Sequence, residues 1–206
     1  MSVKIIDLSN NNQDPDWRQV YNAGISCVWL KVTEGTSFVD QTFASRAVKA
    51  RAAGLRVGGY HFGRPGSDAA SQSSFFAHHL GPVGPHDLRP ALDLETADGQ
   101  PARTIETFAR SFNHELVRLI HVGPLFYSYT GFVESLRLQV PVGYGLWLAD
   151  YGADNGSEHP VTVPAPWRKA VAHQYSSRGT VPGCPHPVDV SSAPDLRPLL
   201  AHPGPV

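Results

Sequence analysis

The chemistry this sequence offers sits in its carboxylates. Asp93 and Glu95 stand two residues apart in Ala91-Leu92-Asp93-Leu94-Glu95. In an extended segment both side chains leave one face, about 6.7 Å apart along the chain. Leu92 and Leu94 put that face at the edge of a dry environment. Two acids so placed resist ionising together, and one of them holds its proton more tightly. A carboxyl group protonated near neutral pH is what a leaving glycosidic oxygen needs. Glutamate reaches one methylene further than aspartate, which gives the acid role to Glu95. An isolated Asp-x-Glu at a strand end is commonly an ion pair or a cap. The weight here comes from company, because Asp7, Glu34 and Asp189 also fall at or just past the ends of β-rich runs. Tyr60, Tyr127, Trp147 and Tyr151 lie at similar positions, where aromatic faces can stack on sugar rings or simply pack a core. His61 and Gln174 complete the set of expected substrate contacts.

These residues must be positioned by an alternation of strands and helices. Lys4–Leu8 reads as a strand, followed by a short helix capped by Asp16 with apolar positions at Trp17, Val20 and Tyr21. Cys27–Val32 is rich in β-formers, and an Ala/Arg-rich helix over 41–53 stops at Gly54. Further strands are expected at Leu55–Phe62, Pro90–Glu95 and Pro124–Tyr129, with helices over 68–80, 102–121 and 130–138. The 102–121 helix has the clearest apolar face, through Ile105, Phe108, Phe112 and Leu116. Three more runs, Gly145–Ala149, Ala170–Tyr175 and Pro187–Val190, are joined by Gly/Pro-rich loops, and a last helical turn is expected near 193–200. Five β-α units followed by three strands argue for an α/β fold with a parallel sheet, and eight strands suffice to close a barrel. An open doubly wound sheet lacks its Gly-rich phosphate loop here. In a closed parallel barrel, the strand ends bearing Asp7, Asp93, Glu95 and Asp189 meet on the face that holds barrel active sites.

Composition narrows the function classes. The 206 residues suit one domain, expected over 1–200 with 201–206 as a tail or linker start, and an apolar share of 41% fills a core. A net charge of −1 without a basic stripe argues against nucleic acid. No stretch approaches the ~20 apolar residues of a membrane helix. No signal peptide is evident, so synthesis in the cytoplasm and access to the outside through holin-type or other release are expected. Two cysteines are too few for a disulfide framework, and the reading argues against a Cys27–Cys184 bridge. A zinc hydrolase would need clustered ligands, but His114-Glu115 is followed by Arg118 where a second histidine is required. A cysteine peptidase would need a thiolate beside a histidine, whereas Cys27 lies within an apolar run. No metal or organic cofactor is expected.

The blocks Ile6-Asp7-Leu8-Ser9, Lys31-Val32-Thr33-Glu34-Gly35, Tyr60-His61-Phe62-Gly63-Arg64-Pro65 and Leu92-Asp93-Leu94-Glu95 occur in this order. They continue as Leu146-Trp147-Leu148-Ala149-Asp150-Tyr151, Gln174-Tyr175-Ser176-Ser177, and Val181-Pro182-Gly183 followed by Val188-Asp189. In these blocks the chain resembles the glycoside hydrolase family 25 lysozymes, the Chalaropsis-type muramidases that include phage endolysins. The resemblance implies an irregular (β/α)5β3 TIM-like barrel. It implies cleavage of the β-1,4 bond between N-acetylmuramic acid and N-acetylglucosamine in bacterial peptidoglycan, without metal or cofactor; a monomer is expected. By resemblance Glu95 is the proton donor with Asp93 beside it. Asp7 and Asp189 are the remaining catalytic acids, and Glu34 is a further cleft carboxylate. The sequence departs from the family pattern at Asn10-Asn11-Asn12-Gln13, where tryptophan-glutamine is usual, and at Ser191, where asparagine is usual. Two routes stay open: an inverting one with Asp7 or Asp189 as base, and a substrate-assisted one in which Asp93 orients the 2-acetamido group. The competing non-enzymatic reading is a wall-binding module on a degenerate barrel.

Overall fold

A computed structural model describes residues 2–140 and 144–201. The chain runs through β1 (Val3–Leu8), α1 (Trp17–Asn22), β2 (Cys27–Glu34), β3 (Phe38–Val39), α2 (Phe43–Ala53), β4 (Arg56–Phe62) and α3 (Ala69–Leu80). It continues through β5 (Ala91–Asp93), α4 (Ala102–Ile120), β6 (Leu125–Tyr129), α5 (Thr130–Leu136), β7 (Leu146–Ala149), β8 (Ala172–Gly179) and β9 (Val188–Ala193). A 3-10 turn follows at Arg197–Leu199. The sheet order is β1-β9-β8-β7-β6-β5-β4-β2-β3, and pairing of β1 with β2 closes eight strands into a barrel. The expected (β/α)5β3 architecture is therefore the observed one, with β3 a short flap on the edge of β2 that the sequence reading missed.

Local chemistry explains the helix ends. The Asp16 and Asp68 carboxylates accept the N–H groups of Gln19 at 3.0 Å and Ser71 at 2.7 Å, capping α1 and α3. Gly54 ends α2 in the left-handed region at φ 102°. Strand alternation sorts the core into layers. Ile6, Leu8, Val28, Leu30 and Val57 face outward against α1 and α2. Val32, Leu92, Leu94, Phe126 and Leu148 face α3, α4 and α5. Ile5, Trp29, Ala91, Leu125, Tyr127 and Trp147 fill the barrel interior. Among the described residues no helix follows β7 or β8 in the chain to cover them. The long 150–171 connection does this instead: Trp167 stacks on Phe126 at 5.4 Å between ring centroids, and Asp154 accepts from Ser176 and Ser177 of β8.

One expectation about direction is corrected. Asp189 does not end a parallel strand. β9 runs antiparallel to both β8 and β1, and Asp189 lies near its start. The short Gly/Pro-rich connection after β8 cannot carry a crossover, so the chain turns back on itself. The residue still reaches the mouth, because the start of a reversed strand lies beside the ends of its neighbours. The helical turn expected over 193–200 shrinks to three residues because β9 extends to Ala193. Ala201, the first residue of the expected tail, is buried and donates its N–H to the Asp87 carbonyl at 2.9 Å. The rest of that tail lies outside the described residues.

Candidate active site

Asp93, the last residue of β5, points into the barrel, and Leu94 turns outward into the helix layer. The Leu94 N–H bonds to the Tyr127 carbonyl at 3.0 Å, and its own carbonyl accepts the Ser128 hydroxyl at 2.7 Å. These bonds prolong the extended backbone past β5 and return Glu95 to the inner side. Asp7 of β1 and Asp189 of β9 are direct cross-strand partners, so two carboxylates face each other across adjacent strands. Like charges in that relation repel.

The electrostatics follow from this crowding. Burial raises Asp93 well above the usual carboxylate range, with Glu95 and Asp7 adding repulsion and Lys31 opposing it. Burial also raises Asp7 strongly, reinforced by Asp189 and partly offset by a hydrogen bond from Gln174. Asp189 is pushed up to about 6 by burial and then by Glu95. Glu95 is raised by burial, against the pull of the Tyr127 hydroxyl and Lys31. Oδ1 of Asp93 is buried with no hydrogen-bond partner.

Beneath the acids lies a buried relay. Gln174 donates to Asp7 Oδ2 at 2.9 Å and accepts the hydroxyls of Tyr127 at 2.7 Å and Tyr151 at 2.9 Å. Gln174 is 1% exposed and Trp147 is 2% exposed, its indole N–H held by Ser191 Oγ at 3.0 Å. These residues, with Tyr127, form the floor that holds the acids and are not an open sugar-binding surface as expected. Tyr60 and Tyr151 are half-buried at the rim of the cluster, and the acids raise both phenols further after burial itself.

Two expected contacts are held by partners within the protein. His61 is 0% exposed and faces away from the mouth, packed on Phe76 and Phe112 and bonded to Thr33 Oγ1 at 2.8 Å and Gln72 Oε1 at 3.0 Å. Burial depresses its pKa to about 4, so it is a neutral packing residue. The reason is strand parity: Tyr60 points in, so His61 points out. Glu34 is at the rim but is not a free acid. A bulge between Lys31 and Thr33 swings it back beside Lys31, whose Nζ lies 2.6 Å away, and Arg64 binds its other oxygen. Although burial works against it, the hydrogen bonds from Lys31 and Arg64 hold Glu34 below the usual range. Lys31 and Tyr129 are inward-facing residues that the sequence reading missed. Parity from Trp29 and Tyr127 would have found both.

Among the described residues no group of three or more His, Cys, Asp or Glu side chains could hold a metal ion, and no helix is long and apolar enough to cross a membrane. Cys27 and Cys184 are both free thiols.

Comparison with known proteins places this geometry. The chain is 29% identical over 181 residues to an autolytic lysozyme of Clostridium acetobutylicum, an alignment covering 88% of this chain and 52% of that protein. The chain thus spans about half the length of that relative. It is 36% identical over 107 residues to an N,O-diacetylmuramidase of a Chalaropsis species, covering 49% of this chain and 51% of the other. The crystal structure of a bacterial lysozyme from Streptomyces coelicolor superposes with a TM-score of 0.85 at 25% identity, covering 95% of this chain and 93% of that one. The profile of Glycosyl hydrolases family 25 matches residues 6–184, and the chain belongs to that family.

Proposed function

We propose that this protein is an N-acetylmuramidase, a lysozyme that hydrolyses the β-1,4 bond between N-acetylmuramic acid and N-acetylglucosamine in bacterial peptidoglycan. The observation that carries the reading is the cluster of Asp7, Asp93, Glu95 and Asp189 at the barrel mouth, all raised in pKa chiefly by burial. Crowded acids destabilise a fold, so their retention in one place argues for use. The relatives named lysozyme and N,O-diacetylmuramidase support the same substrate class. The protein acts as a monomer at the cell wall.

In this reading Glu95 is protonated before reaction and gives its proton to the glycosidic oxygen as the C1–O bond breaks. The carbonyl oxygen of the substrate's own 2-acetamido group attacks C1, forming an oxazolinium ion. Its N–H gains positive character as this happens. The buried, unpartnered Oδ1 of Asp93 is suited to accept that N–H. A hydrogen bond formed mainly in the transition state accelerates the chemical step. The Glu95 carboxylate then takes a proton from the water that opens the ring, and configuration is retained. Lys31 favours the ionised form of Asp93, while the acids together share protons as one titrating group. The Gln174 relay fixes the Asp7 carboxylate beside them.

Digestion of purified peptidoglycan, borohydride reduction of the soluble fragments and mass spectrometry test the activity. Reduced muramic acid ends are expected, and opening of peptide or amide bonds alone would refute the proposal. Anomer analysis of the first product tests the route. An inverted product would exclude the oxazolinium path and pass the base role to Asp189 or Asp7.

A further inference from the structure

At the end of the barrel opposite the acids, a cavity of about 530 Å³ opens between the start of β7 and the segment leading into β8. Tyr144, Leu146, Trp167 and Val171 give it apolar walls, and Arg168 and Lys169 complete the lining. Both cations are exposed, and among the described residues neither has an ion-pair partner. A third cation lies behind the wall. A Cβ on Gly145, which also lines the cavity, would stand 3.3 Å from an Arg89 guanidinium nitrogen. Arg89 donates to the carbonyls of Gly123, Pro124 and Pro198, and among the described residues no carboxylate pairs with it. No acid is among the described lining residues. Positive charges of one sign around low-dielectric walls focus a field that attracts anions. Trp167, 6% exposed, adds an indole N–H that is buried without an acceptor. The volume falls within the range of small-molecule sites, roughly 300–1,000 Å³.

We infer that this cavity is a second, non-catalytic wall-binding site, which takes a peptide stem of peptidoglycan with its carboxylates on Arg168 and Lys169 and its small apolar side chains against Leu146 and Val171. The inference rests on the peptidoglycan substrate of the muramidase reading, though not on its chemistry. Apolar walls beside unpaired cations favour an apolar acid over a bare sugar, whose hydroxyls would be desolvated there without partners. The stems that hang from muramic acid combine methyl side chains, peptide carbonyls that can accept an indole N–H, and free carboxylates. The cavity faces away from the mouth, so it engages a stem other than the one at the scissile bond. Holding a neighbouring strand of the mesh keeps the enzyme on the wall between cuts, a gain in effective concentration that needs no contact with the acids.

The test measures binding without turnover. Sedimentation with insoluble peptidoglycan is carried out in a Glu95→Gln background, with and without the pair Arg168→Ser and Lys169→Ser. Unfolding temperatures confirm that each variant is folded. Loss of the two cations is expected to raise the Kd by about fivefold or more on peptide-bearing wall, and to leave it unchanged on glycan strands stripped of peptide by an amidase. The pair Lys4→Ser and Arg18→Ser removes the same charge from exposed positions elsewhere and is expected to change neither value. An unchanged Kd on peptide-bearing wall would overturn the site. An equal loss on stripped strands, or from the control pair, would also overturn it, in favour of glycan contact or bulk charge. A loss that disappears once hydrofluoric acid has removed phosphate polymers from the wall would assign the cations to phosphate and refute the peptide. A protein that binds stems through this cavity yet releases no muramic acid ends would sink the muramidase reading and spare the site.

Discussion

At the lower end of the barrel interior, Trp29 and Trp147 stack with centroids 4.3 Å apart, and the Trp29 indole N–H bonds to the Arg89 carbonyl at 2.9 Å. Arg89 closes that end by donating to the carbonyls of Gly123 at 2.7 Å and Pro124 at 2.9 Å. Gly58 is required there, since a Cβ would lie 2.4 Å from the Trp29 ring. Polarity at this end is matched, and the space is filled. At the mouth the same inward stripes carry Asp7, Asp93, Glu95 and Asp189, with Oδ1 of Asp93 unpartnered. Burial that stabilises one end raises the energy of the other. The lower end spends its contacts on holding the barrel, and the mouth leaves a buried carboxylate oxygen without a partner. Glu34 sharpens the contrast: at the same rim, two cations turn a carboxylate into a structural ion pair.

The largest effect should come from Glu95→Gln. It is expected to lower kcat on peptidoglycan by about a thousandfold or more, on the order of 4 kcal/mol of barrier, while circular dichroism stays near wild type and the unfolding midpoint at pH 7 is no lower. Retained turnover would remove Glu95 from the acid role. Asp93→Asn should lower kcat by about a hundredfold or more with a small change in KM, because its proposed contact strengthens in the transition state. A rise in KM alone would make Asp93 a binding residue.

At the lower end the pattern should reverse. Trp29→Ala is expected to cost about 3–5 kcal/mol in denaturant unfolding, with a smaller loss of kcat in folded molecules than Glu95→Gln or Asp93→Asn causes. A variant that lost activity yet kept its stability would break the division between the two ends.

The smallest effect is one of pH. The folded-state pKa of Asp189 is raised to about 6 by burial and Glu95. Its contribution to stability is full below the range of unfolded carboxylates and is lost as pH rises through about 6. Asp7, Asp93 and Glu95 are shifted in the same direction. The unfolding temperature should therefore fall between about pH 4 and 7, and Asp189→Asn should flatten that fall. The variant should also be about 1–3 kcal/mol more stable than wild type at pH 7, at a cost in activity. A slope identical to wild type would mean that Asp189 does not titrate in this window.

The sequence by itself determined the order and type of nearly every element, because period-two and helical patterns and the Asp16, Asp68 and Gly54 end signals act over a few residues. It also named all four acids, since each lies at or near a strand end. Tertiary structure decided which way each side chain faces and what partners it meets. Strand parity sent His61 to the helix layer, and a bulge returned Glu34 to the rim beside Lys31. Reversal of β9 set Asp189 opposite Asp7, and Gln174 met Tyr127, Tyr151 and Asp7 only when β8 joined the barrel. Those contacts join residues up to 167 positions apart. Local pattern carries no information about them; closure of the barrel creates them, and with them the raised proton affinities at its mouth.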